Sequence, residues 1–162
     1  MRILTALFFL FSVSLFGQNN SEKLGNFKNL IETLHPTIDF KDKLVIVSVW
    51  SVEDIESREL NKEAYRVYKI YERAKLKNGE KGTVFISVLL NSDEQIRDLA
   101  INKDGIDSAV VFSETGLKNL LSSQWNIKNA QSNIVFDKSG EIKFQNVPKD
   151  QLFPSLRSLI TR

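Results

Sequence analysis

Leu44-Val45-Ile46-Val47-Ser48-Val49-Trp50-Ser51-Val52-Glu53-Asp54-Ile55-Glu56-Ser57-Arg58 is the stretch that decides the fold. Its first seven residues are nearly all apolar and rich in Val and Ile, as expected of a strand covered on both faces. From Asp54 the pattern changes. Leu60, Ala64, Val67, Tyr68, Tyr71 and Ala74 recur at i, i+4, i+7 and i+8, which predicts a long amphipathic helix from Asp54 to about Lys75. The charged turn Lys77-Asn78-Gly79-Glu80-Lys81-Gly82 ends it, and Thr83 to Leu90 supplies a second apolar strand. Strand, crossover helix, strand is a parallel βαβ unit.

Upstream, Leu24, Phe27, Leu30, Ile31 and Leu34 fall at helical spacing, and His35-Pro36 ends that helix because the residue before a proline is pushed out of the α region. Downstream, Ser92 with Gln95 reads as a capping box. Ile96, Leu99 and Ala100 are then the inner face of a helix that stops near Asp104-Gly105. A short strand over Ala109 to Phe112 and a helix over Glu114 to Ser123 lead to Trp125. Ser132 to Phe136 and Glu141 to Gln145 flank Asp137-Lys138-Ser139-Gly140, an antiparallel hairpin with Gly at the left-handed turn position. A last helix, about Lys149 to Thr161, places Leu152, Leu156, Leu159 and Ile160 on one face and requires Pro154 in its first turn. The order α-β-α-β-α-β-α-β-β-α predicts an α/β layered domain, with a central mixed sheet and helices on both faces.

Arg2 followed by an apolar run from Ile3 to Phe16 reads as a signal peptide over residues 1–17. Its 14 positions are fewer than the roughly 20 needed to span a bilayer. Cleavage is expected after Gly17 or after Ser14, leaving no stable membrane span and a periplasmic or extracellular protein. Residues 18–43 are then an N-terminal helix and lead-in, and 44–162 the main domain. Lys and Arg number 22 against 20 Asp and Glu, and losing Arg2 brings the net charge to +1, so bulk charge singles out no partner. A charge this small, on an exported chain, argues against nucleic-acid binding. The chain has no Cys, which excludes disulfides, a lipidated cysteine and all thiol chemistry.

The order of elements resembles the thioredoxin superfamily, in particular its exported redoxin and thiol–disulfide oxidoreductase branch. Aligned on Trp50 and Arg58, the family's Cys-x-x-Cys positions are held by Asp54, Ile55, Glu56 and Ser57. The aromatic-Gly-Val-x-Gly-x-Pro-Thr run before the hairpin reads here Trp125-Asn126-Ile127-Lys128-Asn129-Ala130-Gln131-Ser132, with Gln131 at the cis-proline position. The resemblance covers about Asp42 to Ile160. It implies a thioredoxin-like fold in which Asp54 and Gln131 meet. It also implies that any partner peptide is held between the helix start and the Gln131 loop, with Trp125, Gln131 and Ile55 as contacts and Trp50 beside them.

Acids in the first turn of a helix are what its dipole favours, so capping alone explains Asp54. Glu53, Asp54, Glu56 and Glu59 lack the alternating spacing of a calcium loop, and no metal or other cofactor is expected. Ser57 with His35, the single histidine, lacks the G-x-S-x-G turn of a hydrolase. Lys62, Arg66, Lys69 and Arg73 form a cationic stripe on the long helix that could meet an acidic partner, although a solvated outer face needs such residues anyway. These residues together predict an exported, redox-inactive domain that binds a protein or peptide. The alternatives are a thiol-independent enzyme using Glu53, Asp54 and Glu56, a plain structural domain, or a chain that earns an oxidoreductase name by homology without the chemistry.

Overall fold

The computed structural model describes residues 21–91 and 93–160. The leader, the cleavage points, Ser92 and Thr161 lie outside the described residues. Helix α1 covers residues 21–34, and it is followed by β1 (Leu44–Trp50), α2 (Ile55–Tyr71), β2 (Thr83–Leu89) and α3 (Glu94–Asp104). A 3-10 turn (Ser108–Val110) leads into β3 (Val111–Phe112), then α4 (Thr115–Trp125), β4 (Ser132–Phe136), β5 (Ile142–Gln145) and α5 (Lys149–Arg157).

The five strands lie in the order β3-β2-β1-β4-β5. β1 pairs parallel with β2, and β2 with β3, whereas β4 runs antiparallel to both β1 and β5. The parallel βαβ unit and the C-terminal hairpin are therefore both present. β1 is central and wholly buried because both sheet faces are covered. Val45, Val47 and Val49 point to a layer made by α1 and α4, through Leu24, Phe27, Ile31, Leu117, Leu121 and Trp125. Leu44 and Ile46 point the other way, to Leu60, Ala64 and Val67 of α2 and to Leu152 and Leu156 of α5. Trp50 and Leu89, at the far ends of β1 and β2, are capped by Ala100 and Ile101 of α3.

Several boundaries differ from the sequence expectation, each for a tertiary reason. α2 stops at Tyr71, because Lys75 bridges to Lys81 and Leu76 to Ile160, giving this backbone partners outside any helix. Gly82 (φ +104°) makes that path feasible: a Cβ there would lie 2.0 Å from the Glu72 carbonyl oxygen. The cap of α3 is Asp93, whose carboxylate accepts from the Gln95 amide. Ala100 and Ile101 form the inner face of α3, while Ile96 and Leu99, expected inside, are 51% and 71% exposed. Pro154 lies inside α5 rather than in its first turn. It and Asp150 are both exposed, so the carbonyl deprived of a donor faces water.

Candidate functional site

Site geometry follows from the β1–β4 register. Val49 pairs with Ser132, so the residue before β4, Gln131, arrives beside the exit of β1 where α2 begins. Asp54 caps α2, its carboxylate accepting from the Ser57 amide at 3.1 Å. The Gln131 side-chain amide donates to both oxygens of that carboxylate, each at 3.2 Å, and to Glu56 at 3.1 Å. Helix start and loop thus meet as the resemblance implies, joined by one neutral amide between two carboxylates. Gln131 has φ +65°, a left-handed conformation uncommon for a residue other than Gly, and every peptide bond among the described residues is trans.

The surface around this corner is a shallow groove of about 420 Å³ lined by Ile55, Leu60, Gln131, Val147, Pro148 and Lys149, with Glu56 and Glu59 along its rim. Ile55 is 73% exposed at the first position of α2. The stretch Asn146–Lys149, between β5 and α5, was not singled out from sequence. Its signal is the breaker run Asn146-Val147-Pro148, where Asn146 takes φ +53°. Asn133 holds this wall in place, donating to the Val147 carbonyl at 2.7 Å and accepting from the Val147 amide at 3.0 Å.

Other residues proposed from sequence are placed elsewhere. Trp125 is the last residue of α4 and is buried, its ring packing on Phe27 and on Phe136 at the opposite end of β4 from Gln131. It is packed as a core residue. Trp50 is likewise fully buried, its indole N–H donating to the Ser87 hydroxyl at 2.7 Å, so it supports the corner from below without reaching its surface. Ser57 is buried and spent: its hydroxyl accepts from the Ser51 amide and lies 2.9 Å from the Asp54 carbonyl. His35 packs edge-on against Phe112, in the layer on the other face of the sheet from α2, so the two cannot form a nucleophile–base pair. Arg58 makes a two-pronged ion pair with Asp104, at 3.0 and 2.7 Å, tying the first turn of α2 to the end of α3.

The cationic stripe is largely neutralised on its own helix. Lys62 pairs with Glu59, Arg66 with Glu63 and Lys69 with Glu72, at 2.8, 2.6 and 3.2 Å, leaving Arg73 as an exposed cation with no ion pair among the described residues. Short-range pairs of this kind belong to a solvated helix face. Below the stripe, burial and the neighbouring Glu72 carboxylate push the Tyr68 hydroxyl up to about 12, keeping it a donor to Glu72. Among the described residues no cluster of acids and histidine has the geometry to hold a metal, and no helix is long and apolar enough to cross a membrane.

No family model and no curated protein matches this chain. Solved structures do. A thiol:disulfide interchange protein from Bacteroides sp. is 20% identical with a TM-score of 0.60, over 75% of this chain and 76% of that one. The thioredoxin domain of a thiol–disulfide oxidoreductase from Bacteroides vulgatus is 20% identical with a TM-score of 0.59, over 76% and 83%. A thiol–disulfide oxidoreductase from Bacteroides fragilis is 23% identical with a TM-score of 0.56, over 72% and 81%. The fold is thioredoxin-like, in a chain with no cysteine.

Proposed function

We propose that this chain is an exported, redox-inactive accessory domain that binds a protein or peptide partner at the groove beside Ile55 and Gln131. The observation that carries the proposal is the corner itself: where a dithiol would stand, a helix-capping carboxylate is linked to the facing loop by a side-chain amide. Redox chemistry has no nucleophile here, because exchange requires a thiolate and the chain has no Cys. Carboxylate chemistry is disfavoured too. Asp54 is committed to the Ser57 and Gln131 N–H groups, and the neighbouring Glu56 carboxylate is held by the same Gln131 amide. What remains open is an exposed apolar side chain, Ile55, above a partly apolar groove, the kind of surface that takes an extended segment. Export rests on the reading of residues 1–17 alone.

The test is comparative capture from the native envelope fraction with the purified protein, its Ile55→Asp variant and its Asp54→Ala/Glu56→Ala variant. A partner retained by the wild type and the double variant but lost with Ile55→Asp supports the proposal. Retention by all three would place binding elsewhere. An insulin-reduction assay is expected to show no rate above buffer.

A further inference from the structure

Beneath the corner, a row of polar side chains crosses the inner face of the sheet where apolar packing would be expected. Ser48 of β1 lies directly opposite Ser87 of β2 and Asn133 of β4, and Asn61 of α2 descends onto the row; all four are fully buried. Their hydrogen bonds are unequal. Ser87 accepts from the Trp50 indole and donates to Asn61 Oδ1 at 3.0 Å, and Asn133 is satisfied by the Val147 backbone. Ser48 Oγ and Asn61 Nδ2 have no hydrogen-bond partner among the described residues. Two buried orphans are costly, each about 1–3 kcal/mol if left unsatisfied, and native interiors rarely leave them so.

We infer that Ser48 and Asn61 hold one buried water between the sheet and α2. Both orphans border Ser87: Asn61 through its own hydrogen bond, and Ser48 as its paired residue on the adjacent strand, roughly 4.8 Å away between strands, so the two unpartnered atoms flank one shared hydroxyl. The chemistry suits water, which donates to Ser48 Oγ or accepts its proton and accepts the Asn61 N–H. Ser48 lies between Ile46 and Trp50 on its strand face, and the residue of α2 one turn beyond Asn61 is Ala64, so the side chains beside the two orphans include short ones. A water requires only about 10–15 Å³ of accessible space and two to four polar neighbours. Held there, it connects β1 to the second turn of α2, directly under the helix start that carries Asp54 and Ile55.

The experiment is a high-resolution crystal structure of the whole protein together with a stability cycle. The structure is expected to show one ordered water about 2.7–3.2 Å from both Ser48 Oγ and Asn61 Nδ2. A dry contact, with the Asn61 amide turned directly onto Ser48, overturns the inference, as does an empty row. In urea titrations Ser48→Ala is expected to lower the folding equilibrium constant about fivefold in the wild type and by less than twofold in an Asn61→Leu background, where the water has lost its anchor. Equal effects in both backgrounds overturn it. Ser48→Thr, which keeps the hydroxyl, separates loss of the water from simple repacking.

Discussion

Asp54 and Asp137 stand at opposite ends of the β1–β4 ladder, and they differ in nearly everything except residue type. Asp137 is buried in the hairpin turn, where one oxygen accepts from the Ser139 amide and hydroxyl and from the Glu141 amide, and the other lies 3.1 Å from the Lys143 ammonium. Burial alone would raise its pKa, but the hydrogen bonds from Ser139, Lys143 and the Glu141 amide prevail and hold it below the usual aspartate range. Asp54 is half-buried, caps a helix and meets only neutral donors, from Ser57 and Gln131. A carboxylate matched by a cation and by turn amides is architecture. One held by neutral donors at a helix start caps that helix and contributes less. Apolar groups differ as well: Trp125 packs on Phe136 at the Asp137 end, whereas Ile55 stands exposed at the other.

The largest effect expected from this contrast is at Trp125. Trp125→Ala should cost about 3–5 kcal/mol in urea unfolding, and a loss below 1 kcal/mol would return Trp125 to the surface. Next, Asp137→Ala should cost about 1.5–3 kcal/mol against about 1 kcal/mol for Asp54→Ala, and a reversed ranking would break the distinction between the two ends. Because the folded-state pKa of Asp137 is lowered, its contribution is complete above the ordinary aspartate value and is lost as pH falls through the folded value. Acid titration of stability should therefore be flatter in Asp137→Asn than in the wild type. Identical acid limbs would show that the turn does not hold a charge. The smallest stability change is expected for Ile55→Asp, within about 0.5 kcal/mol, since the side chain is exposed; its effect should appear in partner capture instead.

Much of the fold was legible because it rests on periodicity and breakers. The bounds Leu44–Trp50 follow from a nearly unbroken apolar run, and Ser132–Phe136 and the hairpin from the turn Asp137–Gly140, where Gly140 takes φ +90°. The misses share a cause. Ile96 and Leu99 carry a helical apolar pattern but face water, because α3 touches the sheet only near its end and Trp50 and Leu89 fit against Ala100 and Ile101. Ending α2 at Tyr71 was invisible from sequence because the competing bridge, Leu76 to Ile160, joins residues far apart in the chain. Trp125 looked like a site residue by adjacency to the Gln131 loop, yet a left-handed Asn126 closes α4 there and turns the following loop away.

By itself the sequence determined the absence of thiol chemistry, the central βαβ unit and the acid at the start of α2, since these depend on residue identity and on spacing within single elements. Tertiary structure alone decided that one Gln131 amide would link Asp54 to Glu56, that Trp125 would be core, and that Asn146–Lys149 would form the second wall of the groove. Each of those is a contact between residues distant in sequence, and such contacts are set by strand register and by which side chains fill the space between layers, neither of which a local pattern encodes.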